Sequence, residues 1–339
     1  MESPRRMDGP TMMDVARQAG VSQATVSLIL NGNPGARFSA GTRNRVKRIA
    51  AELGYTLVRR GKRQISQTQS VIAFIADEIA TDPWMALAFD GAREMAMEHG
   101  HTACLSISRG DLEADVGGLD LSESRQLLGV IYGTILTRRV ELSAQLLKHP
   151  TVLVNCYTAD RSLPAILPGD LVGGRTATER LIRAGRRRIA LINGQQGVDA
   201  TRDRLKGYRQ ALASHDMAYE DELVHPGNWE PSSGYEITHR LMALPNPPDA
   251  IFCANDMMAV GCYDALRELG LRIPEDISVV GFDDREIAQF LRPPLTTLIL
   301  PHREMGALAA ETLIDIAGGL RAGHSQIKVE CPLVERRSV

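Results

Sequence analysis

Several side chains between positions 11 and 31 could make specific contacts with another molecule. The amide of Gln23 offers a donor and an acceptor together, which matches the edge of an adenine base. Ala24 and Leu28 offer only apolar surface, which suits a thymine methyl group. Hydroxyl and amide groups suited to phosphate oxygens are present at Thr11, Ser22, Thr25, Ser27 and Asn31. For each of these polar residues the alternative is a helix cap or a solvated side chain.

Two short helices joined by a tight turn are predicted to carry these side chains. Thr11 and Ser22 can each cap the start of a helix, and Gly20 can take the positive φ of the turn between them. The second helix has an apolar stripe between Val26 and Leu30. This pattern is typical of a helix-turn-helix, whose second helix fits the DNA major groove, although an ordinary helical hairpin has the same spacing.

Residues 38–54 predict a third helix, which Ser39 can cap and Gly54 can end. Its apolar side chains recur with helical spacing and are expected to pack on the first two helices; they are Val46, Ile49, Ala50 and Leu53. Its basic side chains are predicted to face outward; they are Arg43, Arg45, Lys47 and Arg48. From there they could position the chain on phosphates without distinguishing between base sequences.

The charge of the chain is distributed unevenly. Residues 1–64 contain twelve Lys and Arg but four Asp and Glu, a net charge of +8, whereas the whole chain carries −2. The remainder therefore carries −10. A basic end on an acidic body suits a chain with one nucleic-acid-binding end, and the alternative is a solvated basic surface.

Composition and signature sequences exclude several classes of protein. The 339 residues predict two or three domains, and 44% apolar residues suffice for substantial cores. No apolar run of about 18 residues and no secretory signal is present, so we expect a cytoplasmic protein without a membrane span. The five cysteines lack a CxxC spacing, which indicates buried thiols.

Signatures of catalysis and of metal binding are also missing. The sequence has no P-loop, GxGxxG, HExxH or GxSxG motif, so neither enzyme activity nor a cofactor is expected. Four histidines lack the spacing of metal ligands and are expected at the surface; they are His149, His225, His239 and His302.

From residue 71 onward, apolar strand segments alternate with helical segments. Such alternation is typical of parallel sheets with right-handed crossovers. About 270 residues is long for one sheet. We therefore expect two α/β lobes with a ligand in the crevice at the strand carboxyl ends. The predicted strands are 71–76, 102–107, 129–136, 151–156, 188–192, 250–254 and 277–282, with helices between them.

The helix-turn-helix segment resembles the N-terminus of the lac repressor (LacI/GalR) family of bacterial regulators. The shared pattern consists of Asp14-Val15-Ala16, Ala19-Gly20-Val21-Ser22, Thr25-Val26-Ser27 and Asn31. The remaining chain is similar to the effector domain of that family, most distinctively at Ile273-Pro274-Glu275-Asp276-Ile277 and Val280-Gly281-Phe282-Asp283-Asp284. The resemblance covers roughly residues 11–335. It implies an all-α helix-turn-helix head and a two-lobed α/β effector domain of the periplasmic-binding-protein-like (type I) fold.

The resemblance also implies domain boundaries. It places a flexible tail at 1–10, the head at 11–54, a hinge or linker at 55–70 and an effector-binding and dimerisation domain at 71–335. In the family the chain crosses between the lobes three times. Here this predicts one lobe from about 71–160 and 292–322, and another from about 161–291 and 323–335.

For the head, the resemblance assigns DNA contacts. Gln23, Ala24 and Leu28 match the main base-reading positions, with leucine where arginine is common. Because this helix has no Arg or Lys, operator half-sites are expected to be recognised mainly through A·T contacts. The linker side chains suited to the DNA backbone are Arg59, Arg60, Lys62 and Arg63. The hinge departs from the family at Leu57, Val58 and Gly61, and Gln64 stands where a leucine is wedged into the minor groove.

The expected effector pocket combines aromatic faces with a few polar side chains. The resemblance implies Asp82, Trp84, Asn155 and Arg204, and to these we add Trp229, Asn255 and Asp283. Aromatic faces stack on sugar C–H surface, while carboxylate, amide and guanidinium groups bond to vicinal hydroxyls. The alternatives are core packing for the tryptophans and a turn or helix cap for Asn255 and Asp283.

Together these features predict a dimeric repressor of carbohydrate uptake or catabolism genes, released from a palindromic operator by a small sugar. The family also implies an alternative in which a nucleobase or a phosphorylated sugar acts as a corepressor. A solute-binding protein shares the body but has no use for residues 11–31. A cytoplasmic sugar enzyme would need a catalytic constellation that the sequence lacks.

Overall fold

The computed structural model of the chain describes residues 12–21, 23–30, 40–55, 70–108, 126–144, 146–320 and 326–339. They belong to two compact units, one within Met1–Ile65 and the other within Ser66–Val339. The described part of the first unit is helical, and the second unit is α/β.

Three helices form the described part of the first unit: α1 (Met12–Ala19), α2 (Gln23–Leu30) and α3 (Ala40–Glu52). Gly20 has a φ of +63°, a conformation that carries no Cβ penalty in glycine and lets the chain turn from α1 into α2. Val15, Val26 and Val46 contribute one fully buried side chain from each helix to a shared core. The predicted helix-turn-helix and its third helix are confirmed.

The face of α3 that points away from this core is basic, as the sequence predicts. Arg43, Arg45, Lys47 and Arg48 are all exposed. Arg48 lies 3.5 Å from the Glu52 carboxylate in a surface ion pair, an interaction worth little in stability. The predicted division of α3 into an apolar and a basic face is confirmed.

Strands and helices alternate through the described part of the second unit. The strands are β1 (Val71–Ala76), β2 (Thr102–Ile107), β3 (Leu127–Arg139), β4 (Thr151–Tyr157), β5 (Ala165–Pro168), β6 (Ile189–Asn193), β7 (Val224–Pro226), β8 (Ala250–Cys253), β9 (Ser278–Val280), β10 (Thr297–Leu298), β11 (Gln326–Val329) and β12 (Leu333–Val334). The helices are α4 (Trp84–Glu98), α5 (Asp170–Arg183), α6 (Asp199–Ser214), α7 (Pro231–Met242), α8 (Asp256–Glu268) and α9 (His302–Ala317).

Two parallel sheets define two lobes. The first has the strand order β11-β5-β4-β3-β1-β2 and the second β7-β6-β8-β9, while β10 and β12 form a separate antiparallel pair. β1 is buried along its whole length, because alternate side chains pack into a cluster with α4 and α9 on one face and into a cluster with Val140 and Leu146 on the other. The carboxyl ends of parallel strands share one edge, so each lobe presents the loops of that edge to a ligand.

Helices α4 and α9 of the first lobe cross in backbone contact at two glycines. A Cβ on Gly91 would lie 1.9 Å from the Arg303 carbonyl oxygen, and a Cβ on Gly306 would lie 1.8 Å from the Ala88 carbonyl oxygen. This close approach brings the first turns of the two helices side by side. It thereby positions the rings of their first residues, Trp84 and His302, against each other.

The chain changes lobes later than the sequence predicts. β5 pairs with β4, and β11 pairs with β5, so both belong to the first sheet, whereas the sequence predicts the second lobe for 161–291 and 323–335. Each has four residues, too few for periodicity to reveal. In addition, the helix expected between β3 and β4 is a 3-10 turn at Leu146–Lys148.

The described ranges contain no helix that is both long and apolar enough to cross a membrane. All five cysteines are free thiols; four are buried, as predicted, and Cys104 is half-buried. Within the same ranges, no three His, Cys, Asp or Glu side chains are grouped to hold a metal ion.

Candidate functional site

A cavity of about 270 Å³ lies in the second unit, lined by the loops and helix ends that follow the strands of both sheets. All seven side chains proposed from the sequence as effector contacts line it, namely Asp82, Trp84, Asn155, Arg204, Trp229, Asn255 and Asp283. They converge because the carboxyl ends of parallel strands share an edge, and the two lobes meet at these edges. Their roles in binding an effector remain predictions.

An aromatic stack forms the wall from the first lobe. The rings of Trp84 and His302 lie nearly parallel, 5.4 Å apart between centroids and 16° between planes. Burial and, secondarily, the charge of Arg204 lower the pKa of His302 to about 3, so its ring is neutral at physiological pH. Neither ring nitrogen is in a well-formed hydrogen bond, although the Leu300 carbonyl interacts with the ring. The ring therefore offers an unused acceptor nitrogen to another molecule.

The second tryptophan reaches the cavity from the other lobe on a strained backbone. Trp229 has a φ of +71°, and its ring lies against Gly194, where a Cβ would be 1.9 Å from the ring. Its backbone carbonyl accepts a hydrogen bond of 2.9 Å from the Asn255 amide. The indole N–H is buried without a partner. Trp229 therefore has a fixed orientation and an unused donor at the cavity.

Arg204 forms a buried ion pair with Asp170. Its guanidinium Nη2 is 2.8 Å from Asp170, and both residues are nearly inaccessible to solvent. The same guanidinium donates to the Ala254 carbonyl and packs 3.7 Å from the centroid of the Phe282 ring. These contacts hold Arg204 rigidly against the cavity.

Asp283 lies between the two guanidinium groups of the cavity. Its carboxylate is 4.0 Å from Arg204 and 3.9 Å from Arg285, on a backbone with a φ of +113°. Burial raises the pKa of Asp283 to about 7, although both arginines oppose the shift. The carboxyl can therefore accept or donate a hydrogen bond near neutral pH.

An ion pair connects the two lobes beside the cavity. Arg285, after β9, bonds to Asp82, in the loop after β1. The guanidinium carbon of Arg285 is 5.1 Å from the centroid of the Trp84 ring. Its Nε is buried without a hydrogen-bond partner. The pair thus brings charged groups from both lobes to the same wall.

The amides of the two asparagines are already engaged by the protein. The Oδ1 of Asn255 caps α8 by accepting a bond of 2.8 Å from the Met258 N–H, so the helix-cap alternative holds for this residue. Asn155 accepts a bond from the Thr137 hydroxyl and donates to the carbonyls of Thr134 and Ile135 at 2.9 and 3.0 Å. Both asparagines consequently shape the cavity more than they offer free polar atoms to it.

Asp170, Arg285 and His302 are the charged or ring-bearing cavity residues most important to the site that sequence reasoning missed. Asp170 follows β5, a strand that was not predicted. Arg285 follows Asp283 by two residues, and this proximity was a usable signal. His302 was expected at the surface, which is wrong: it is 1% exposed because the contact of α9 with α4 buries it.

The proposed DNA contacts can be placed only in part. Gln23, Ala24, Ser27 and Leu28 belong to α2, and Thr25 on the same helix is half-buried. Thr11, Ser22, Asn31, Arg59, Arg60, Lys62 and Arg63 lie outside the described residues, as do the hinge positions Leu57, Val58, Gly61 and Gln64. Their roles remain predictions.

Comparisons with known proteins agree with this architecture. The model of "Bacterial regulatory proteins, lacI family" matches residues 11–56, and that of the "Periplasmic binding protein-like domain" matches residues 178–339. The HTH-type transcriptional repressor CytR of Escherichia coli (strain K12) is 31% identical over 339 residues, covering 100% of this chain and 98% of the relative.

Solved structures show the same relationship. A complex of the transcriptional regulator CelR with cellobiose is 31% identical, with a TM-score of 0.66, and covers 97% of this chain and 100% of that one. The lac repressor dimer bound to operator and the anti-inducer ONPF is 26% identical, with a TM-score of 0.65, and covers 98% and 99%. The chain belongs to the lacI family of bacterial regulatory proteins, which are DNA-binding transcriptional regulators and not enzymes.

Proposed function

We propose that the chain is a cytoplasmic, homodimeric repressor that leaves a palindromic operator when a small sugar binds in its cavity. The observation that carries the proposal is the cavity itself, where unused polar atoms of Trp229, His302 and Arg285 converge beside two aromatic faces. Buried polar atoms without partners are costly, so a ligand that satisfies them gains affinity and orientation.

The chemistry of the lining favours a polyhydroxylated ligand. The faces of Trp84 and Trp229 suit the apolar C–H surface of a sugar ring. The neutral His302 ring and the Asp283 carboxyl, whose pKa lies at about 7, can each donate or accept a hydrogen bond. A cellobiose-bound relative supports a sugar as the class of ligand.

Ligand binding would act through a shift in population between two arrangements of the lobes. A ligand held by groups from both lobes binds one arrangement better than the other and stabilises it. The structure of the lac repressor dimer bound to its operator supports a dimer of this chain whose two heads engage two half-sites. Release then follows when the favoured arrangement no longer holds the heads at the spacing of the half-sites.

For DNA recognition, we propose Gln23, Ala24 and Leu28 as the base-contacting residues of α2. The α2 sequence contains no Arg or Lys, the residues that most often contact guanine. We expect half-sites whose contacted positions are mainly A·T, and we expect Gln23→Ala to relax the preference for adenine at one position. A consensus of outer G·C pairs that is lost in Gln23→Ala would contradict this assignment.

A corepressor is the second candidate mode. Whether a ligand weakens or strengthens operator binding depends on which arrangement of the lobes binds the operator, and not on the cavity alone. In this mode a nucleobase or a phosphorylated sugar would strengthen operator binding.

The decisive experiment is selection of operator sites from random DNA with the full-length protein, repeated with a panel of sugars. A palindromic consensus whose binding weakens with one sugar would establish an inducible repressor. Stronger binding with a nucleobase or sugar phosphate would favour the corepressor mode. No enrichment at low salt, where phosphate contacts are strongest, would contradict the proposal.

A further inference from the structure

The cationic side chains among the described residues of the cavity lining are each matched by a carboxylate of the protein. Arg204 pairs with Asp170 at 2.8 Å, and Arg285 pairs with Asp82. Asp283 lies within 4.0 Å of both guanidinium groups. With Glu78 and Glu230 the described lining holds five carboxyl groups against two guanidinium groups. No positive charge is left over for a negatively charged ligand.

The two ion pairs differ in how readily a ligand could replace the carboxylate. The side chains of Arg204 and Asp170 are 4% and 3% exposed, so displacing Asp170 would leave a buried charge without a partner. The side chains of Arg285 and Asp82 are 21% and 25% exposed. Asp82 is thus the carboxylate whose removal would free the Nη2 end of the Arg285 guanidinium at a modest cost in folding stability, while Asp283 stays 3.9 Å from its Nε.

Resting on the proposed function, we infer that Asp82 is a specificity-determining residue that excludes anionic ligands. Its carboxylate occupies the guanidinium of Arg285 in the position that a ligand carboxylate or phosphate would take. The ligand class for the wild-type cavity is accordingly an uncharged sugar, and a sugar phosphate or sugar acid is disfavoured. Removing the Asp82 charge creates an anion site at Arg285.

The two tryptophans of the chain allow anion binding at Arg285 to be measured without DNA. Both line the cavity, and the Trp84 ring lies 5.1 Å from the Arg285 guanidinium, so intrinsic fluorescence reports on this site. The experiment titrates inorganic phosphate into the full-length wild type, Asp82→Asn, Glu78→Gln and the double variant Asp82→Asn/Arg285→Met. Glu78→Gln is the matched control, because it removes the same charge from the same loop without touching an ion pair of Arg285.

We expect phosphate to bind Asp82→Asn about tenfold more tightly than the wild type, equivalent to about 1.4 kcal/mol. Glu78→Gln should behave like the wild type, and the gain should vanish in the double variant. Equal phosphate affinity in wild type and Asp82→Asn would overturn the inference, as would a similar gain in Glu78→Gln or a gain that survives without Arg285. Unfolding curves of the variants confirm that each is folded.

Failure of this inference is separable from failure of the proposed function. If a sugar phosphate releases the wild type from its operator, Asp82 does not exclude anions and yet the ligand-responsive repressor stands. If the phosphate titrations follow the expectation but no sugar alters operator binding, the role of Asp82 stands and the inducer assignment falls.

Discussion

The buried pair of Arg204 and Asp170 should dominate the response of the second unit to mutation. Arg204→Met keeps the apolar stem but removes the guanidinium 2.8 Å from Asp170, whose side chain is 3% exposed. A buried charge left without its partner costs about 3–5 kcal/mol. Native domains are stable by only about 5–15 kcal/mol, so this single change should remove a large part of the total.

A double variant distinguishes two contributions to the lost free energy of unfolding: the missing ion pair and the unpaired charge that Arg204→Met leaves at Asp170. Arg204→Met/Asp170→Leu removes both charges, leaves the Ala254 carbonyl without its donor, and leaves Asp283 with Arg285 as its remaining guanidinium neighbour. We expect the double variant to be less destabilised than Arg204→Met by about 2 kcal/mol or more, a coupling within the range for contacting residues. Arg202→Met on the same helix is the control: its side chain is 63% exposed, 2.7 Å from Asp199, and its loss should cost about 0–1 kcal/mol.

Urea unfolding followed by tryptophan fluorescence is the appropriate assay, because both tryptophans lie in the second unit. Midpoints and slopes together give the free energy of unfolding for each variant. A double variant no more stable than Arg204→Met would refute the reasoning. It would show that the loss comes from the other contacts of Arg204, with Phe282, the Ala254 carbonyl and Asp283, instead of from the isolated Asp170 carboxylate.

Three further predictions concern the cavity. Gly194→Ala places a Cβ 1.9 Å from the Trp229 ring, so urea unfolding should show a loss of about 1–3 kcal/mol and fluorescence a weakened response to the sugar. An unchanged response would mean that the position of the ring is immaterial. His302→Phe preserves the stack on Trp84 but removes both ring nitrogens, so the unfolding midpoint should hold while calorimetry shows reduced sugar affinity. Undiminished affinity would exclude the histidine as a ligand contact. Burial raises the pKa of Asp283 to about 7, so the native state binds more protons than the unfolded state between about pH 4 and 7. This group therefore makes the free energy of unfolding fall as pH rises through that range. Asp283→Asn should make the urea midpoint fall less between pH 5 and 7.5, and an unaltered pH profile would contradict the assignment.

The helices and strands were largely predictable because each follows from local periodicity. Val26 and Ile29 on α2, like Val46 and Ile49 on α3, are buried as their helical spacing predicts. The longer strands carry uninterrupted apolar runs that indicate burial on both faces. β5 and β11 were not predicted, because four residues are too few to show a period. Since both strands belong to the first sheet, the lobe boundaries lie later in the chain than the sequence predicts.

The sequence predicted several residues of the candidate site, but it did not predict which hydrogen bonds they make. Polar residues near the carboxyl ends of strands converge on the cavity because parallel strands bring these ends to one edge; Asn155 lies near the carboxyl end of β4, and Asp82 and Asp283 lie in the loops after β1 and β9. Residue type alone could not show that the amides of Asn155 and Asn255 are consumed within the fold. Nor could it show that His302 is buried, since its burial depends on the crossing of two distant helices.

The sequence by itself determined the helix-turn-helix, the alternation of strands with helices, the basic head and the strand ends that carry polar side chains. Each of these depends on neighbours within a few residues, where spacing and side-chain type dictate local structure. Only the tertiary structure decided which carboxylate neutralises which guanidinium. Asp82 and Arg285 stand 203 residues apart, and they meet because the packing of the two lobes brings one strand end of each sheet to the same cavity.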